Sequence, residues 1–146
     1  MRSHPESPHW LRFYAVAHSF NLDDSSQSKN VMEVMVRALI CKTLSVPPAA
    51  RESILLASQF LEGRATASQL DTARVAMWHL IEGHNCDFKD PAVCAIRAVI
   101  CGLSSPAPNY EPHETLSFFL DMWDGAQFEP ELAANAMTEI YGVNLD

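Results

Sequence analysis

The stretch Asp90-Pro91-Ala92-Val93-Cys94-Ala95-Ile96-Arg97-Ala98-Val99-Ile100-Cys101-Gly102 limits what this chain can fold into more than any other. Asp90 suits an N-cap, Pro91 suits the first helical position, and Gly102 can turn left-handed just past the last turn. Between these signals Arg97 alone is charged. A helix that is apolar on every side is normally enclosed by other helices. At about 11 residues it is too short to cross a membrane, which takes roughly 20. The rest of the chain has to supply its walls.

With 146 residues, 48% of them apolar, the chain fits one domain with its own core and is not a disordered polymer. No run is long and apolar enough for a membrane span, and Met1 to Pro8 lacks the apolar centre of a signal peptide. Four cysteines are present: Cys41, Cys86, Cys94 and Cys101. Cys94 and Cys101 cannot pair within one helix, because seven steps of about 1.5 Å exceed the roughly 7 Å Cα limit. Three of the four fall in apolar helical runs, where cysteine acts as a small hydrophobe. A reduced, cytoplasmic protein is expected.

The net charge of −8 is unevenly placed. Residues 1–97 carry ten Lys/Arg and ten Asp/Glu. Residues 98–146 carry no Lys or Arg and eight acids: Glu111, Glu114, Asp121, Asp124, Glu129, Glu131, Glu139 and Asp146. That sign disfavours nucleic acid and anionic membranes and suits a basic protein partner. A merely solubilising acidic face explains the same count.

All five glycines close stretches with helical periodicity, and Pro8, Pro48, Pro91, Pro112 and Pro130 open them. No strand-like alternation competes, so the class is all-α. A first helix from Pro8 to about Phe20, capped by Ser7, puts Trp10, Phe13, Val16, Ala17 and Phe20 on one side. After a polar loop over 22–28, a second helix runs from about Lys29 to Leu44. Met32, Met35, Val36, Leu39 and Thr43 line its stripe, widened by Val31, Val34 and Ala38. The third, Pro48 to Glu62, buries Ile54, Ala57, Leu61 and Phe60. The fourth runs to Glu82 and presents Leu70, Ala73, Met77, Leu80 and Ile81. Thr66 and Gln69 have the spacing of a capping box at its start. The short turn at 63–65 makes these two an antiparallel hairpin. Asp71 can pair with Arg74, which can also lie on Trp78. Beyond a linker at 104–110, helix six (Pro112 to Asp124) carries Leu116, Phe119, Leu120 and Trp123. Helix seven (Pro130 to Tyr141) groups Ala133, Ala136, Met137 and Ile140. The expected whole is one domain over 1–146, with six to seven helices packed as antiparallel hairpins around a buried helix near 91–101.

The densest group of possible metal ligands is His79, His84, Cys86 and Asp87. Its spacing contains no CxxC or HxxxH pair, so helix-terminal polar residues are the better reading. A Cys86/His84 nucleophile lacks any sign of a depressed thiol pKa. Asp121 with Asp124, or Glu129 with Glu131, could do acid/base work, but no phosphate cradle, GxSxG or HExxH accompanies them. No catalytic residue, metal or cofactor is expected. Arg97 must be paired or reach water, and a partner among the C-terminal acids would dock those helices onto the enclosed one. Trp78, Tyr110, Phe118, Trp123, Phe128 and Tyr141 do not all fit inward stripes. Aromatics beside acids have the make-up of an interface anchor with a charged rim.

The hairpin from Phe60 through Leu61-Glu62-Gly63 to Ala73-Arg74 and Trp78 resembles a segment of the all-helical immunity proteins of bacterial polymorphic toxin systems. Those proteins similarly end a helix in a leucine–acid–glycine turn before an alanine-rich helix with Ala-Arg. The resemblance implies binding and neutralising a toxin, with no catalytic residues to carry over. Taken together, these readings give an immunity or inhibitor protein that meets a basic toxin domain through Glu111, Glu114, Asp121, Asp124, Glu129, Glu131, Trp123 and Phe128. Arg97, Thr66 and Gln69 serve structure. The alternative is a helical adaptor, secretion chaperone or regulatory module, with a possible homodimer through the Met-rich second helix.

Overall fold

A computed structural model describes residues 7–84, 87–105 and 110–143. Among them are seven α-helices and no strand: α1 (Pro8–Ser19), α2 (Ser28–Ile40), α3 (Pro48–Leu61), α4 (Ala67–Leu80), α5 (Pro91–Gly102), α6 (Pro112–Gly125) and α7 (Pro130–Tyr141). Five of these helices open on proline, whose fixed φ suits the first turn and whose missing N–H is not needed there. Among the described residues no helix is long and apolar enough to cross a membrane.

α5 starts where Asp90 Oδ1 accepts the Ala92 N–H at 2.9 Å, and nine of its twelve residues are buried. It packs against α2, α3, α4 and α6. It is not alone at the centre. α2 buries seven of thirteen residues and packs against α3, α5, α6 and α7, so two crossing rods share the core. α2 also keeps Lys29 and Arg37 exposed, which is why it reads as an ordinary amphipathic helix. Met32 and Met35 lie within the core, so the second helix offers no methionine face for a homodimer.

Two of the glycine stops act by size and not by conformation. Gly102 is the last residue of α5, and a Cβ there would lie 3.0 Å from Leu39 Cδ1 of α2. At Gly125, the end of α6, a Cβ would lie 2.5 Å from Cys94 Sγ and 3.1 Å from its Cβ. α6 therefore approaches α5 closely at that point. Gly63, Gly83 and Gly142 do adopt positive φ.

Several boundaries and partners differ from expectation. α6 and α7 form no intimate hairpin: α6 lies along α5, while α7 packs against α1 and α2. The connection between them turns at Gln127 (φ 63°), and Trp123 Nε1 donates to Glu129 O at 2.9 Å. Residues 22–28 are not simply a loop. Leu22 is buried, Asp24 caps a 3-10 turn over Ser25–Gln27, and Gln27 Oε1 accepts the Tyr141 hydroxyl at 2.9 Å. α2 stops at Ile40, leaving Cys41 exposed, and a 3-10 turn over Thr43–Ser45 points Leu44 at solvent. Arg51 Nε pins that turn by donating to Thr43 O at 2.9 Å. Leu80 is half-exposed, because α4 ends there and Ile81 turns inward in its place. Residues 106–109 of the expected linker lie outside the described residues.

The close approach at Gly125 gives a direct expectation. Gly125→Ala should cost about 1–3 kcal/mol in urea unfolding, the usual penalty for overpacking, and Cys94→Ala in the same chain should recover part of it. Full stability of Gly125→Ala alone would contradict the packing of α6 on α5.

Candidate functional site

The C-terminal acids do not share one face. Asp124 looks inward: Oδ1 lies 2.5 Å from His9 Nε2, and Oδ2 accepts the Trp10 indole N–H at 2.8 Å. His9 and Trp10 are fully buried, so this carboxylate ties α6 to α1. Trp123 is fully buried too, with Phe119 tilted against its ring and Phe128 edge-on to it, and cannot be a surface anchor. Its position at i+7 from Leu116 already put it on the inward stripe of α6. Phe128 is half-buried, with its ring against Trp123 and under the Lys42 ammonium (5.1 Å). Lys42 Nζ also donates to Glu129 Oε1 at 2.8 Å. That bond holds the Glu129 carboxyl below the usual carboxylate range. Glu139 pairs with Arg37 at 3.2 Å, and Asp121 is half-buried. Positive charge from the N-terminal half thus meets part of the acidic tail within the fold. Glu111, Glu114 and Glu131 remain exposed, with Glu131 on α7, away from the other two.

Glu111 and Glu114 line a cleft of about 360 Å³ with Trp78 of α4, Arg97, Ile100 and Cys101 of α5, Ser104, and Thr115 and Phe118 of α6. Arg97 stands among three rings. Its guanidinium carbon lies 4.8 Å from the Trp78 centroid, 4.9 Å from Phe118 and 5.2 Å from Phe88. A cation over aromatic faces is stabilised by their quadrupoles, more so when partly desolvated. The contact with Phe118 ties α5 to α6, and Trp78 adds α4. Arg74 does not lie on Trp78. It pairs with Asp71 at 2.8 Å and donates to Leu103 O at 3.3 Å, closing the end of α5.

Thr66 and Gln69 form the capping box of α4. Gln69 N–H donates to Thr66 Oγ1 at 3.1 Å, and Thr66 N–H donates to Gln69 Oε1 at 2.8 Å. His79 is exposed beside Glu82 at 3.3 Å, His84 and Asp87 are exposed, and Cys86 lies outside the described residues. Among the described residues no three His, Cys, Asp or Glu side chains converge as metal ligands. Burial pushes the Cys101 thiol up to about 12 and raises Cys94 as well. Both are protonated at neutral pH and are poor nucleophiles.

Two features escaped the sequence reading. His9 sits on the inward side of α1 but was hidden among the polar residues of the N-terminus. The ring cluster around Arg97 draws on three segments separated in sequence, a grouping that helical periodicity does not report. No protein-family profile, curated protein or solved structure matches the chain.

Two outcomes test this charge placement. Asp124→Ala should cost on the order of 3 kcal/mol in urea unfolding, since the buried His9 and Trp10 ring nitrogens lose the carboxyl group they bond. A loss within about 0.5 kcal/mol, ordinary for surface changes, would contradict it. In Lys42→Met, the Glu129 carboxyl should titrate at higher pH than in the parent chain, as followed by NMR. The Lys42 pairing is present at neutral pH and is lost as pH falls through the depressed Glu129 pKa. An unshifted Glu129 would remove Lys42 as the cause.

Proposed function

We propose that this chain is a non-enzymatic protein-binding protein of the immunity or inhibitor kind, neutralising a basic toxin domain in the cytoplasm. The observation that carries this reading is the cleft between α4, α5 and α6, where the exposed carboxylates of Glu111 and Glu114 stand beside Trp78. The recognition surface is this cleft and not the whole acidic tail, because Asp124, Glu129 and Glu139 are engaged within the fold. Interface anchors are enriched in Trp, and outlying charges set the encounter rate and its salt dependence. The Phe60–Trp78 hairpin, the segment that resembles immunity proteins, supplies one wall of the cleft through Trp78.

A second reading, a helical adaptor that self-associates, draws on Leu55 and Val75. These are 52% and 54% exposed on α3 and α4, which also line a groove of about 510 Å³.

The test is capture from the native host on the immobilised full chain, beside the double variant Glu111→Lys/Glu114→Lys. The expected partner is a basic protein that salt releases, and the charge reversal slows its association about tenfold or more. A partner indifferent to salt and to the reversal overturns the cleft reading. A concentration-dependent dimer lost in Leu55→Glu/Val75→Glu, with no basic partner captured, supports the adaptor.

A further inference from the structure

We infer that the cleft is a socket for one cationic side chain, an arginine above all, presented by the partner; this rests on the protein-binding reading above. At about 360 Å³ the space is near the lower end of ligand sites, which run from about 300 to 1,000 Å³. That size suits a single side chain better than a whole cofactor. Among the described residues its charged lining is one cation, Arg97, against two carboxylates, Glu111 and Glu114, a net negative set. Ile100 and Cys101 give it an apolar floor, and Trp78 and Phe118 give it rings.

Arg97 shows what these rings accept. Its guanidinium lies within 4.8–4.9 Å of both the Trp78 and Phe118 centroids, and the described residues leave a cavity of about 360 Å³ beside it. A second guanidinium entering from solvent would have indole surface on one side, since Trp78 is 36% exposed. At the rim it would meet carboxylates that accept its N–H donors in pairs. Arginine is favoured over lysine here because a planar, weakly hydrated cation stacks on rings and bonds carboxylates through two N–H groups at once. Repulsion from Arg97 is opposed by two acids and by the rings that share its charge. The arrangement selects a cation with a flat face and rejects neutral or acidic side chains.

The chain carries its own reporter for this. Trp10 and Trp123 are fully buried, so the Trp78 indole is the exposed one of the three. The experiment titrates the full-length protein with the capped tripeptide acetyl-Gly-Arg-Gly-amide, following the indole N–H signals by NMR. The lysine and glutamine tripeptides serve as comparators. The expected result is a saturating shift of the Trp78 indole with the arginine peptide, a weaker one with lysine and none with glutamine. Trp10 and Trp123 should not move. Glu111→Gln/Glu114→Gln, which keeps size and folding, should weaken the arginine peptide about tenfold. Equal shifts from all three peptides, no shift from arginine, or unchanged affinity in the double variant each overturn the socket. A chain that captures a basic host protein but ignores the arginine peptide overturns the socket and leaves the protein-binding reading standing. Arginine binding without any captured partner does the reverse.

Discussion

Nine of the twelve residues of α5 are shielded from water, and an apolar rod of this kind is stable only between other helices. That need fixes much else. α6 must come close enough that Gly125 leaves no room for a Cβ beside Cys94, and α2 must reach Leu39 to the glycine that ends α5. α3 and α4 cover the remaining sides. Packing at this density makes a single methyl group matter. Against such a background Arg97 is the exception: a cation on an apolar rod, kept at its edge by three rings.

Charge is distributed by the same logic. The acidic tail reads in sequence as one negative surface, but folding spends its carboxylates on different neighbours. Asp124 anchors α1 through His9 and Trp10, Glu129 meets Lys42, and Glu139 meets Arg37. The last two lie on the side where α7 packs against α2, at the helix itself and just before its first turn. What stays outward next to an aromatic wall is the Glu111 and Glu114 pair, which is why the proposed recognition site contracts from two helices to one cleft.

Much of the fold was legible because helix ends carry local chemistry. Pro130 to Tyr141 matches α7 residue for residue, the Thr66–Gln69 capping box is present, and the inward stripe of α6 holds Leu116, Phe119, Leu120 and Trp123 in the core. The helix pairings were less legible, since a stripe shows which face is buried and not what covers it. A count of charges likewise cannot distinguish Asp124, held by two buried ring nitrogens, from exposed Glu131. The cleft itself joins Trp78, Arg97 and Phe118 from three helices, whereas sequence spacing puts Trp78 under Arg74, four residues back. That pairing satisfies a local rule, while the observed arrangement depends on how α4, α5 and α6 meet.

The enclosure of α5 is tested most directly by native-state hydrogen exchange measured amide by amide in increasing denaturant. The hydrogen-bonded amides of α5 and α2 should exchange only through global unfolding, while the outer turns of α4 open earlier at lower free energy. An α5 that exchanges through local opening, as fast as α4 or faster, would contradict the account at its root.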